Sequence, residues 1–154
     1  MRYIAHRGLF KGPDVNIENT PQQIDLAIGK GYDVEVDVWC INNELFLGHY
    51  YPLRKVDVKW LSKRPLWVHC KNVEALEYFQ SIPYKLNYFW HQNDNYTLTS
   101  DEYIWVNPGN KLTESSVMVM PEHVDPNLQN TISVECFGIC SDYVEQIKRL
   151  RNEV

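Results

Sequence analysis

The sequence predicts an α/β fold in one domain, residues 1–154. About eight short stretches carry strand-like patterns bounded by Gly, Pro and Asn, and only three or four carry helical spacing. With 154 residues, 44% of them hydrophobic and 23% charged, the chain can bury a substantial core. No apolar run is long enough to span a bilayer. Met1-Arg2-Tyr3-Ile4-Ala5-His6 leads straight into a strand, without the apolar region and cleavage site of a signal peptide. A net charge of −5 argues against a nucleic-acid partner, since such proteins bind phosphates through excess Lys and Arg. Cys40, Cys70, Cys136 and Cys140 lack zinc-finger spacing and read as reduced core residues of a cytoplasmic protein.

Arg2 to Ala5 forms the first strand, with His6 at its C-terminal end. Gly8 to Ile17 is a loop turning at Gly12-Pro13-Asp14. Asn19 or Thr20 then caps a helix with Pro21 in its first turn and Ile24, Ala27 and Ile28 inward. From Tyr32 to Trp39 apolar and acidic residues alternate, so Val34, Val36 and Val38 share one strand face and Glu35 and Asp37 the other. Paired carboxylates repel and are costly to bury, so this face is either a solvated edge or the seat of a cation. Asn42-Asn43 turns the chain into Glu44–Leu47, which delivers His49.

Tyr50 to Pro65 is irregular, with a short helix near Trp60-Leu61. Leu66 to Lys71 is a strand, Val73 to Gln80 a helix, and Leu86 to Trp90 a strand ending at His91. Gln92 to Ser100 is too polar to predict an element. Tyr103 to Val106 and Ser116 to Met120 are strands stopped by Pro108-Gly109 and Pro121. Ile132 to Glu135 and Gly138 to Cys140 are the last strands. Asp142 to Glu153 is a terminal helix with Val144, Ile147 and Leu150 inward.

His6-Arg7-Gly8, Glu18-Asn19-Thr20, Glu35-Val36-Asp37 and His49, in that order, resemble the glycerophosphodiester phosphodiesterase family. That family belongs to the phospholipase-like barrels that include sphingomyelinase D. Its pattern is a strand ending in His-Arg-Gly, a Glu-Asn-Thr opening the first helix, a Glu-x-Asp strand and a second His. The clear match covers the first third of the chain, and Gly138-Ile139-Cys140-Ser141-Asp142-Tyr143 is similar to the family's last strand and helix start. The resemblance implies a compact (β/α)8 TIM-like barrel. Such barrels typically take about 250 residues, so several helices would be reduced to loops. An open α/β sheet is the alternative.

His6, His49, His69, His91 and His123 fall at or near the ends of predicted strands, which in a parallel barrel converge on one mouth. Histidine titrates near neutrality and serves as acid or base. The resemblance implies that His6 and His49 do this work in phosphodiester cleavage. Arg7 can grip phosphate oxygens. Glu18 has three open readings: orienting the Arg7 loop, approaching a metal, or favouring the helix N-terminus. Glu35 and Asp37 would hold a divalent ion, with Mg or Ca suited to carboxylate oxygens.

The sequence departs from the family at His69-Cys70-Lys71, where an acid usually precedes the Lys by two. His69 and Lys71 share a strand face. If His69 is a ligand, the metal shifts toward Mn, Zn or iron; otherwise the site is weaker or rebuilt. Lys71 would contact phosphate. Trp67 is either core or pocket, Trp90 and Trp105 lie near strand ends, and Glu122, His123 and Glu135 are further polar candidates for the mouth.

The expected function is a metal-dependent phosphodiesterase acting on a glycerophosphodiester or a related phospholipid or sugar headgroup diester. The alternative is a catalytically degenerate barrel that binds a phosphorylated sugar or lipid headgroup without cleaving it. A glycosidase ranks last, because carboxylates two apart on one strand face are too close to flank a sugar.

Overall fold

Helices separate successive parallel strands only up to residue 90. In the computed structural model, which describes residues 1–153, β1 (Arg2–His6) leads to α1 (Pro21–Gly29), β2 (Asp33–Ile41), β3 (Glu44–Leu47) and β4 (Arg54–Val56). Then come α2 (Val58–Ser62), β5 (Leu66–Cys70), α3 (Val73–Ser81) and β6 (Asn87–Trp90). The remainder has β7 (Tyr96–Leu98), β8 (Ile104–Val106), β9 (Ser116–Val119), two 3₁₀ turns (Pro121–His123 and Asn130–Ser133), β10 (Gly138–Ser141) and α4 (Val144–Leu150).

The strands form one mixed sheet. β6, β5, β2, β1, β10, β9 and β8 run parallel in that spatial order, and β7 adds antiparallel to β8. β1 pairs with the first part of β2, and the antiparallel β3–β4 ribbon pairs with the last part, from Val38 to Ile41. The sheet curls into a half-barrel. Its ends approach where the Ser100 N–H donates to the Tyr88 carbonyl and the Tyr88 N–H donates to Ser100 Oγ, each at 2.9 Å.

This architecture overturns the expected (β/α)8 TIM-like barrel. The sheet has ten strands, and the four α-helices are short. No α-helix follows β8 or β9: a loop holding Pro108 and Gly109 joins β8 to β9, and the 3₁₀ turns join β9 to β10. Proline there removes a backbone donor and breaks helical geometry. Ile132 to Glu135 is not a strand either. Asp125 Oδ2 accepts from the N–H groups of Asn130 and Thr131 at 2.7 and 3.1 Å and winds that segment into the second 3₁₀ turn. β4 lies in the stretch read as irregular, and β7 in the one too polar to predict an element.

Helix starts follow the sequence. Thr20 caps α1 by accepting from the Gln23 N–H, and Asn72 caps α3 by accepting from the Ala75 N–H. α1 and α3 cover the convex face, where Val34, Val36 and Val38 are buried with Ile24, Ala27, Ala75 and Phe79. The concave face has a second apolar layer of Ile4, Trp67, Phe89, Trp105, Val117, Val119 and Cys140. β2 is thus sandwiched, and Glu35 and Asp37 are 2% and 1% exposed, so the solvated-edge reading does not hold. All four cysteines are free. Among the described residues no helix is long and apolar enough to cross a membrane.

Candidate active site

His6 ends β1, and the backbone then turns through Arg7 at φ 53° and Gly8 at φ 83°. A side chain at position 8 would be strained at that φ and would sit 3.2 Å from the Ile24 nitrogen. The turn aims the Arg7 N–H at Glu35 Oε2, 3.1 Å away. It sends the guanidinium to Glu18 Oε2 at 3.0 Å and Asp37 Oδ2 at 3.2 Å. Glu18 therefore orients Arg7. Asn19, buried and left-handed at φ 52°, grips Asp37 twice. Its Nδ2 donates to Asp37 Oδ2 at 2.9 Å, and its Oδ1 accepts from the Asp37 N–H at 3.0 Å. The sequence offers Asn19 as a cap and as part of the Glu18-Asn19-Thr20 motif, without showing its grip on Asp37.

The β2–β3 hairpin brings His49 back to the same acid, placing Nδ1 3.0 Å from Asp37 Oδ2. Gly48 has φ 147°, and a Cβ there would fall 2.0 Å from the Tyr51 carbonyl oxygen. The Trp39 indole N–H donates to the Gly48 carbonyl and braces this turn. β5 pairs with β2 so that His69 lies opposite Asp37. His69 Nδ1 is 3.1 Å from Asp37 Oδ1 and 3.8 Å from Glu35 Oε1, and Lys71 Nζ is 3.3 Å from Asp37 Oδ1.

The two acids sit in opposite fields. Burial would raise the Asp37 carboxyl, but hydrogen bonds from His49 and His69, with the charges of His69 and Lys71, hold it well below the usual carboxylate range. Glu35 is pushed up by burial and by the neighbouring Asp37 charge, which His6, His69 and Arg7 offset only in part.

On the other side His6 Nδ1 meets Asp142 Oδ1 at 2.8 Å, and His6 Nε2 lies 3.9 Å from Glu35 Oε2. Glu122 accepts from Ser141 Oγ at 2.8 Å and from the Asp142 N–H at 3.1 Å. Burial disfavours charge on His6, yet the Asp142 hydrogen bond and the Glu35 charge outweigh it and raise the imidazole above its ordinary value. Asp142 escaped the sequence reading as a site residue. Its Ser141-Asp142 motif was visible, but its contact with His6 spans 136 positions.

His6, Arg7, Glu35, Asp37, His49, His69 and Lys71 line a cavity of about 460 Å³, whereas Glu122 and Asp142 line a neighbouring one. Trp90, His91 and Trp105 join the wall of the first, while Trp67 lies in the apolar layer beneath. Burial and the His69 charge push the His91 imidazole down. His123 lines the neighbouring cavity with Met120 and Tyr143, and Glu135 is exposed in the segment leading into β10, away from this mouth. Among the described residues only Glu35, Asp37 and His69 offer three ligand atoms within 4.8 Å of one another. Asp37 Oδ1 is buried without a well-directed hydrogen bond, which suits an oxygen left for a cation. Comparison with family models, curated proteins and solved structures gives no match to this chain.

Proposed function

We propose that this protein is a metal-dependent phosphodiesterase acting on a small glycerophosphodiester or a related headgroup diester. One observation carries the reading. Two imidazoles, His6 and His49, are each tied at Nδ1 to a carboxylate on the rim of one cavity, leaving Nε2 for proton transfer. Between them lies the Glu35, Asp37 and His69 cluster. The order of His6-Arg7-Gly8, Glu35-Val36-Asp37 and His49, similar to the glycerophosphodiester phosphodiesterase family, supports the same reading.

A divalent ion held by Glu35, Asp37 and His69 would offset the phosphate's negative charge. Arg7 and Lys71, both in the cavity wall, would bind the non-bridging oxygens. Glu18 and Asp37 hold the Arg7 guanidinium in place before substrate arrives. One imidazole removes a proton from the attacking hydroxyl, and the other donates one to the departing alkoxide. The attacking hydroxyl belongs to water, or to the substrate itself if a neighbouring hydroxyl closes a cyclic phosphate. Four free thiols support a cytoplasmic site of action.

Phosphorus NMR of glycerophosphodiesters and lysophospholipids tests this reading, with chelator-treated protein resupplied with Mg, Ca, Mn or Zn. The expected result is a monoester or cyclic phosphate that requires both metal and His6. Turnover unchanged in His6→Ala, or no product with any metal, would refute it.

A further inference from the structure

Asp37 divides its two oxygens unequally. Oδ2 is approached by Asn19 Nδ2, His49 Nδ1 and Arg7 Nε at 2.9, 3.0 and 3.2 Å. Oδ1 is buried and has no well-directed hydrogen bond, although His69 and Lys71 stand near it.

His69 is held in a way that points one particular atom at this oxygen. Its Nε2 lies 3.0 Å from the His91 carbonyl oxygen. A carbonyl only accepts, so Nε2 carries a hydrogen, and Nδ1 is the nitrogen whose lone pair a cation would take in place of a proton. That lone pair faces Asp37 Oδ1 at 3.1 Å and Glu35 Oε1 at 3.8 Å. One nitrogen and two carboxylate oxygens converging this closely repel one another unless a proton or a metal cation sits among them, and three such donor atoms suit the cation. The ring cannot easily turn away. It stacks on Phe89 with centroids 5.1 Å apart and planes within 7°, and β5–β6 pairing sets His69 opposite Phe89. A ring N–H donated to a backbone carbonyl is also how metal-bound imidazoles are commonly oriented.

We propose that Glu35, Asp37 and His69 form a mixed oxygen–nitrogen site, with His69 Nδ1 as a direct ligand, that selects a zinc-class first-row divalent ion over Mg and Ca. This rests on the metal-site reading above and names its ion. Mg and Ca favour all-oxygen shells, whereas imidazole favours zinc and its neighbours. His69, which stands where an acid usually precedes the Lys by two, thus becomes the selecting residue.

Histidine-ring nitrogen NMR on chelator-treated wild-type protein, titrated with Zn²⁺, tests this without a variant. The expected result is a shift of His69 Nδ1 toward a metal-bound value, with the hydrogen retained on Nε2. Calorimetry with Zn²⁺ and Mg²⁺ on wild type and His69→Glu supplies the selectivity. The glutamate variant should lose about 100-fold or more in the Zn²⁺-to-Mg²⁺ affinity ratio. An unmoved His69 Nδ1 at saturating Zn²⁺, or an unchanged ratio in a folded His69→Glu protein, would overturn the inference. Neither readout involves turnover. Zinc bound through His69 without phosphodiester cleavage would refute the proposed activity alone, and cleavage with His69 unmoved would refute this inference alone.

Discussion

Among the described residues every side chain paired with Asp37 by a hydrogen bond or ion pair comes from before β6, whereas β7 to β10 contribute mainly apolar wall and floor. Arg7, Asn19, His49, His69 and Lys71 all belong to the first group. Trp105, Val117, Val119 and Cys140 belong to the second. The exception is the Glu122–Ser141–Asp142 chain, which reaches back to His6. A charge cluster needs each partner fixed to fractions of an ångström, and capped helices and a tight hairpin provide that in the first region. Walls need only shape and apolarity, which strands joined by proline-containing loops provide without helices.

The largest effect should come from Asp37→Asn. It leaves Arg7, His69 and Lys71 facing a neutral amide. Breaking one side of a buried ionic cluster costs about 3–5 kcal/mol. Chemical denaturation should show that loss, and calorimetry should show metal binding abolished.

Asp142→Asn tests whether the second region has a chemical part. Loss of the acid that orients a catalytic imidazole lowers kcat by up to about 10⁴-fold in a comparable arrangement. The expected change is a large fall in kcat with little change in KM. The His6 limb of the pH–rate profile should move to lower pH, because the bond that raises the imidazole is gone. A variant with an unshifted profile would confine Asp142 to a structural role.

Gly48→Ala should cost about 1–3 kcal/mol, since it forces a side chain into a left-handed turn and against the Tyr51 carbonyl. Turnover should fall more than stability, because His49 rides on that turn.

The two acids should also part company in metal-free protein. Asp37 has a depressed folded value, so its contribution is present above the unfolded carboxylate range and lost as pH falls through the folded value. Glu35 has a raised folded value, so its contribution is present below the unfolded value and lost as pH rises through the folded one. Glu35→Gln should therefore be at least as stable as wild type at neutral pH, the reverse of Asp37→Asn, in melts of chelator-treated protein across pH. The smallest effect should be Glu114→Gln in the exposed β8–β9 loop, within about 0.5 kcal/mol by the same melts.

Local chemistry made much of the first region legible. The two-residue period of Val34 to Val38 identified β2 and the shared face of its acids, and Thr20 and the Asn42-Asn43 turn marked where elements begin and reverse. His6, Arg7, Glu35, Asp37, His49, His69 and Lys71 were named from type and spacing together with the family resemblance, and the fold gathers them in one cavity. The second region was harder to read because short strands in polar surroundings, such as Tyr96–Leu98, have too few residues for a period to show.

By itself the sequence determined which residues could carry charge and which face of each strand they shared, because those properties depend on residue type and neighbours one or two positions away. Tertiary structure alone decided the curled mixed sheet in place of a helix-alternating barrel, the depression of Asp37 against the elevation of Glu35, and the pairing of His6 with Asp142. Those outcomes depend on burial and on distances between groups far apart in the chain, and they exist only once the strands have found their order.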